Sequence, residues 1–165
     1  MKTFRPVWAV FVACAVLACA PRAGADDRVC RGSLGEERID GSLHVAEACA
    51  LRGTRVDGNV TVGPRGRLSA DGVRVGGNLQ ADGAAAVVVG AGARVDGNIQ
   101  IDGSGNIRIS GSLVGGDIQL TGNRGSISVR DNQVGGNLQC TSNRERPTGG
   151  GNRTGGNKED QCARL

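Results

Sequence analysis

The chain has 165 residues, a formal net charge of +4, 29 glycines and no tyrosine. Its aromatic residues are two phenylalanines and one tryptophan, and all three precede residue 12. The remainder of the chain therefore has neither an aromatic core nor the aromatic platforms on which many proteins stack sugars or bases.

Residues 1–25 have the pattern of a secretory signal peptide. Lys2 and Arg5 precede an apolar run over 7–20, and the sequence Ala-Gly-Ala then suits cleavage before Asp26. The run is too short for a helix that spans a bilayer. We therefore expect a periplasmic or secreted mature chain that has no integral membrane span.

A second interpretation of this segment is lipoprotein processing. Val16, Leu17 and Ala18 precede Cys19 and loosely match a lipobox, although Leu17 is bulky where a small residue is usual. In that case the protein would be anchored to the membrane through Cys19.

Removal of the signal changes the charge of the protein. Lys2, Arg5 and Arg22 leave with it, which leaves 17 basic residues against 16 acidic ones. The basic character therefore belongs to the precursor, and a nucleic-acid partner is not expected.

The rest of the chain is built from one repeated unit. Successive copies start 17, 19, 20, 19, 20 and 20 residues apart. The seven copies begin at Ile39, Val56, Val75, Val95, Val114, Val134 and Thr154. Such a period identifies a repeat architecture in which neighbouring units share one core.

Each repeat has three short apolar runs that alternate with polar residues and end in Gly, Asn, Asp or Ser. This pattern indicates three short strands and three turns in 19–20 residues. The sequence therefore predicts an all-β, single-stranded parallel β-helix over residues 26–165, with a polar capping coil at about 144–165. A period longer than 18 residues favours the right-handed form.

Four cysteines remain after the signal, and an even number in an exported chain favours disulfides. Cys30 and Cys49 are 19 residues apart, one coil, so they would stack on neighbouring turns. Cys140 and Cys162 are 22 apart and require a bulge or a looser terminal turn. No C-x-x-C spacing is present, so neither a metal site nor a cofactor is expected.

Two rows of amides recur once per coil. The first follows the glycine pair and comprises Asn59, Asn78, Asn98, Asp117, Asn137 and Asn157. The second is predicted to face outward and comprises Gln80, Gln100, Gln119 and Gln139. A ligand-binding row is one interpretation, but stacked side chains that stabilise turns and a flat sheet explain both rows more simply.

A row of arginines is the candidate binding surface. Arg55, Arg74 and Arg94 precede the repeat valine in three consecutive coils, so like charges would stack on one edge. An anionic envelope glycan bearing phosphate or uronate groups would relieve the repulsion. Alternatively, Asp57, Asp71 and Asp96 neutralise the row locally.

Catalysis is not expected, although some parallel β-helices are polysaccharide lyases or hydrolases. Beyond the signal the chain has one histidine, His44, and one lysine, Lys158. His44 lies between Leu43 and Val45, where an outward strand position is the ordinary interpretation. Most of the aspartates precede glycine and indicate turns, and no nucleophile has a plausible base nearby.

The stacked V-[DG]-G-[ND]-[VIL] units resemble the β-helical core of the bactofilin-like, polymer-forming proteins, over about residues 39–162. The closing stretch Val134–Cys162 is similar to a segment of small exported bacterial proteins with such repeats. The resemblance implies a β-helix and the capacity for self-association into filaments.

From these observations we expect an exported structural or binding module of the bacterial envelope. A carbohydrate-active enzyme and a self-assembling filament subunit are the alternatives.

Overall fold

The computed structural model describes residues 27–90 and 92–165, which form a parallel β-solenoid of about seven turns. The described residues contain strands and turns and no helix. The strands are β1 (Arg28–Leu34), β2 (Arg38–Ile39), β3 (Leu43–Arg52), β4 (Arg55–Val56), β5 (Val60–Val62), β6 (Arg67–Asp71), β7 (Arg74–Val75), β8 (Leu79–Asp82), β9 (Ala86–Val89), β10 (Arg94–Val95), β11 (Ile99–Asp102), β12 (Asn106–Ser110), β13 (Leu113–Val114), β14 (Ile118–Thr121), β15 (Ile127–Arg130), β16 (Gln133–Val134), β17 (Leu138–Thr141), β18 (Thr148–Gly150), β19 (Arg153–Thr154) and β20 (Lys158–Asp160).

The solenoid has three faces, and each complete coil places one strand on each. The first face is formed by β5, β8, β11, β14, β17 and β20, and the second by β6, β9, β12, β15 and β18. The long strand β3 continues from the first face to the second and joins them in one 13-stranded sheet. The third face is a separate seven-stranded sheet of β2, β4, β7, β10, β13, β16 and β19.

The core consists of aliphatic ladders that run along the solenoid. Ile99 and Ile101 are fully buried and Gln100 between them faces outward, as the alternation predicts. Ile99 lies opposite Leu79 and Ile118 in register, so equivalent side chains stack from coil to coil. Burial of each such side chain contributes about 1.5–3 kcal/mol relative to exposure, which compensates for strands too short to be stable alone.

The second glycine of each repeat pair is required by the close approach of successive coils. A Cβ atom on Gly97 would lie 2.8 Å from the carbonyl oxygen of Gly77 and would also overlap the Asn78 side chain. Without that atom, Asn78 Oδ1 accepts a hydrogen bond from the backbone N–H of Asn98 at 2.8 Å. Glycine at this position therefore permits the turn ladder.

Disulfides close the first and last coils, with the pairing expected from the sequence. Cys30 is bonded to Cys49 with a Cα–Cα distance of 5.8 Å, between β1 and β3. Cys140 is bonded to Cys162 with a Cα–Cα distance of 5.2 Å. Cys162 follows β20 in a turn where its N–H donates to Glu159 O at 3.0 Å, and this terminal turn accommodates the longer sequence separation.

Charged residues terminate an aliphatic ladder at both ends. Arg28 lies opposite Leu43 in register, at the start of the ladder. Lys158 lies opposite Leu138 at its end. Leu43 and Leu138 are fully buried, whereas Arg28 is exposed and Lys158 is half-buried. This ladder therefore ends in a charged side chain, and not in an apolar one, at both ends of the solenoid.

Candidate functional site

Arginine side chains form a ridge on the third face. Arg55 lies opposite Arg74 in register, and Arg74 lies opposite Arg94. All three are exposed. Neighbouring strands are about 4.8 Å apart, so the backbone positions of the three arginines repeat at roughly that spacing. The stacking inferred from the sequence is therefore present.

The ridge begins one coil earlier than was predicted from the sequence. Arg38 of β2 lies opposite Arg55 and is exposed. The sequence could have indicated this arginine, because Arg38 directly precedes Ile39, the start of the weaker first repeat. We call Arg38, Arg55, Arg74 and Arg94 the arginine ridge.

Carboxylates neutralise the two ends of the arginine ridge. Arg38 Nε donates to Asp40 Oδ1 at 3.0 Å, and its Nη2 donates to Asp57 Oδ2. Arg94 Nε donates to Asp96 Oδ1 at 2.7 Å. The hydrogen bond to Asp40, then the hydrogen bond and the charge of Asp57, raise the pKa of the Arg38 guanidinium. Both arginines therefore have local counter-ions.

The two central arginines have none. In the described part of the chain, neither Arg55 nor Arg74 has a carboxylate oxygen within 4.0 Å. Asp57, two residues after Arg55, is bound by Arg38 instead, and Gly76 stands two residues after Arg74. The expectation of local neutralisation is thus correct for Asp96, whereas Asp57 neutralises a different arginine.

Asp71 does not neutralise the ridge either. It ends β6 on the second face, where it lies opposite Arg52 in register. Its place in the sequence, three residues before Arg74, suggested proximity, but a corner of the coil separates the two side chains. Because strand direction changes at the corner, distance along the chain does not measure distance between faces.

A shallow groove accompanies the arginine ridge. It has a volume of about 260 Å³ and is lined by all four arginines, with Val56, Val75 and Gly76 at its base. Asp57 and Asp96 are the equivalents of Gly76 in the preceding and the following coil, and both line the groove. Gly76 lines the groove beside the two arginines without counter-ions, and a Cβ atom there would lie 2.5 Å from the carbonyl oxygen of Asp57.

Beyond Arg94 the third face becomes less charged. Leu113 and Gln133 follow in register, and then Arg153. Leu113 has 39% of its surface exposed and lines a second groove of about 440 Å³ whose base includes Gly115, Gly135 and Gly155. On this face the arginines of the row are therefore confined to the N-terminal coils and to Arg153.

The two outer amide rows stabilise the solenoid, as the simpler interpretation expected. Asn59 Oδ1 accepts the N–H of Asn78 at 2.8 Å, and the same bond recurs up to Asn157. Gln80 donates to Gln100 at 2.9 Å, and this row continues to Glu159. These amide groups are occupied by contacts between coils.

Two stacks of polar side chains at the coil corners, buried except for Gln161, were not predicted from the sequence. Asn132 donates from Nδ2 to Ile109 O at 3.0 Å and to Asn152 Oδ1 at 2.9 Å. Its Oδ1 accepts the N–H of Ser112 at 3.0 Å. The second stack consists of Ser104, Asn123, Asn143 and Gln161. Within the described residues, every buried side-chain polar atom has a hydrogen-bond partner, so neither stack is directed at a ligand.

The other candidate groups are dispersed. His44 is exposed on β3, as its strand position predicted. Over residues 27–90 and 92–165, no three His, Cys, Asp or Glu side chains are grouped so that they could hold a metal ion. The same ranges contain no helix of sufficient length and apolar character to cross a membrane.

No protein-family model, curated protein or solved structure matches this chain.

Proposed function

We propose that the protein is an exported binding module of the bacterial envelope that recognises an anionic glycan through the arginine ridge. The observation that carries the proposal is the pair Arg55 and Arg74, which are exposed, adjacent in register and without carboxylate partners in the described residues. Two uncompensated guanidinium groups on neighbouring strands repel each other, and a bound anion removes that repulsion.

The two disulfides support an oxidising location. Bridges such as Cys30–Cys49 and Cys140–Cys162 persist in the periplasm or outside the cell and are rare in the cytosol. The signal-like segment 1–25, which lies outside the described residues, is consistent with this. A periplasmic or secreted protein meets anionic glycans at the cell surface.

The ends of the solenoid favour a binding module over a filament subunit. Bactofilin-like proteins, which the repeats resemble, assemble into filaments. Here Arg28 and Lys158 occupy the end positions of an aliphatic ladder, and Glu159 and Asp160 add charge to the last strand of the first face. Charged residues at the open ends of a sheet oppose edge-to-edge pairing. End-to-end stacking would bury these charges, so we do not favour it.

The surface also favours binding over catalysis. A glycosidase requires two carboxyl groups placed across the scissile bond. Asp57 and Asp96 border the groove, but each is bound to an arginine of the ridge, so neither carboxylate is free to contact a bound sugar. The carbohydrate-active enzyme therefore remains the weaker proposal.

Retention on an immobilised anionic polymer tests the proposal. We expect the exported protein to be retained on polygalacturonate or poly(glycerol phosphate) at low salt, and substitution of Arg55, Arg74 and Arg94 by Gln to abolish retention. The matched control replaces Arg67, Arg108 and Arg130, which are exposed on the second face and carry the same total charge. Loss of retention in both variants, or in neither, would reject the ridge as the binding surface.

A further inference from the structure

The ion pairs of the arginine ridge involve its two end members and not the two central ones. Arg38 binds a carboxylate two residues ahead in its own coil, Asp40, and the equivalent carboxylate in the next coil, Asp57. Arg94 likewise binds Asp96, two residues ahead. The carboxylates that stand in the same relation to the central arginines are bound elsewhere, because Asp57 pairs with Arg38 and Asp96 pairs with Arg94.

Gly76 lies between Asp57 and Asp96 in the stack of coils. It lies two residues after Arg74, and it is the equivalent of Asp57 in the coil that follows Arg55. A side chain could not be added here without a shift of the backbone, because a Cβ atom on Gly76 would lie 2.5 Å from the carbonyl oxygen of Asp57. The glycine thus permits the close approach of the coils and supplies no carboxylate to either central arginine, and it lines the groove beside them.

We propose that a single oxyanion group of the ligand binds between Arg55 and Arg74, in the groove that Gly76 lines. The inference rests on the proposed function and adds the chemistry of recognition. Guanidinium groups bind carboxylate and phosphate oxygens through charge-assisted hydrogen bonds, and strands about 4.8 Å apart allow one oxyanion to contact both. The site takes one charged group, such as a uronate carboxylate or a phosphate, rather than a row of them.

Neighbouring carboxylates limit the site to one anion. Asp57 and Asp96 lie on either side of Gly76 in register, and both line the groove. Their negative charges repel a second anion placed over the adjacent coils, while Arg38 and Arg94 are already bound to them. A polyanion would therefore engage the ridge through one substituent at a time.

The test is calorimetric titration of the exported protein with inorganic phosphate, a probe that carries the oxyanion without a glycan. We expect one saturable site, and we expect Arg55→Gln and Arg74→Gln each to weaken it by at least about tenfold. Asp57→Asn should tighten binding, because it removes a negative charge and releases Arg38. Arg108→Gln with Arg130→Gln, on the second face, should change nothing.

The outcomes separate this inference from the proposed function. The protein could be retained on both polymers and yet have no saturable phosphate site, or have one whose affinity does not change when Arg55 or Arg74 is replaced. Either result would overturn the inference and leave the proposed binding module in place. Phosphate binding without retention on either polymer would reject the glycan and keep the oxyanion site. Comparing poly(glycerol phosphate) with polygalacturonate distinguishes a phosphate from a carboxylate as the natural group. Circular dichroism of each variant confirms that the fold is retained.

Discussion

Arg28 and Lys158 occupy equivalent positions at opposite ends of one ladder of buried aliphatic side chains. Arg28 lies opposite Leu43, and Lys158 lies opposite Leu138. Arg28 is further held by Glu37 at 2.6 Å. A solenoid has two open ends, and an ionised side chain at each makes addition of another coil unfavourable because the charge would lose its hydration. Each end of the solenoid thus has a charged side chain at the end of this ladder in addition to a disulfide.

The first prediction concerns these charged ends. Replacing Arg28 and Lys158 together by Leu should make the protein associate end to end, because the ladder then ends in an apolar side chain on both sides. Sedimentation velocity should find a concentration-dependent increase in size for this variant and a monomer for the parent. Arg28→Lys with Lys158→Arg retains both charges and serves as the control. A monomeric Leu variant at high concentration would contradict the explanation.

The second prediction concerns the disulfides. Each closes a loop of about 20 residues and should contribute roughly 3 kcal/mol through the unfolded state. We expect loss of Cys140–Cys162 to destabilise its coil more than loss of Cys30–Cys49, since the last coil has few aliphatic residues. Hydrogen exchange of paired Ala variants would measure this difference. Non-reducing peptide mapping should find only these two linkages, and a Cys30–Cys162 or Cys49–Cys140 linkage would refute them.

The third prediction concerns the buried corner stack. Asn132→Leu should lower the free energy of unfolding by about 1–3 kcal/mol, because Ile109 O and the Ser112 N–H lose their partner. Gln133→Leu, at the next and exposed position, should change stability by less than about 0.5 kcal/mol. Urea denaturation followed by circular dichroism provides both values. Equal effects at the two positions would indicate that the buried bonds do not stabilise the coil.

The fourth prediction concerns export. Fractionation should recover a chain that begins at Asp26 from the periplasm or the medium, and N-terminal mass spectrometry identifies the cleavage. A lipid-modified Cys19 at the N-terminus would replace this with a membrane-anchored protein. An intact precursor in the cytoplasm would exclude both routes.

The repeat period was enough to predict the solenoid, its strands and the stacking of Arg55, Arg74 and Arg94. Equivalent residues one period apart must stack, whatever the details of the turns. The partner of Asp57 could not be predicted, because a flexible arginine side chain can reach a carboxylate of its own coil or one of the next coil. Only the structure assigns Asp57 to Arg38 and leaves Arg55 without a carboxylate.

The buried asparagines were missed for a different reason. Strand alternation indicates which side chains face inward, but it is interrupted at corners, where Asn132 and Asn152 lie. Asparagine is also common in exposed turns, so an outward position was the default. Alignment with Val73 and Ala93, which occupy the same coil position and are buried, would have indicated that these residues face the interior.

The most direct test of the arginine ridge is nuclear magnetic resonance of the arginine Nε–H groups during titration of the exported protein with oligogalacturonate and with oligo(glycerol phosphate). With at least one of these ligands we expect saturable shifts of Arg55 and Arg74, and none of Arg108 or Arg130. Equal shifts of all exposed arginines, or no shift of Arg55 and Arg74 with either ligand, would contradict the account.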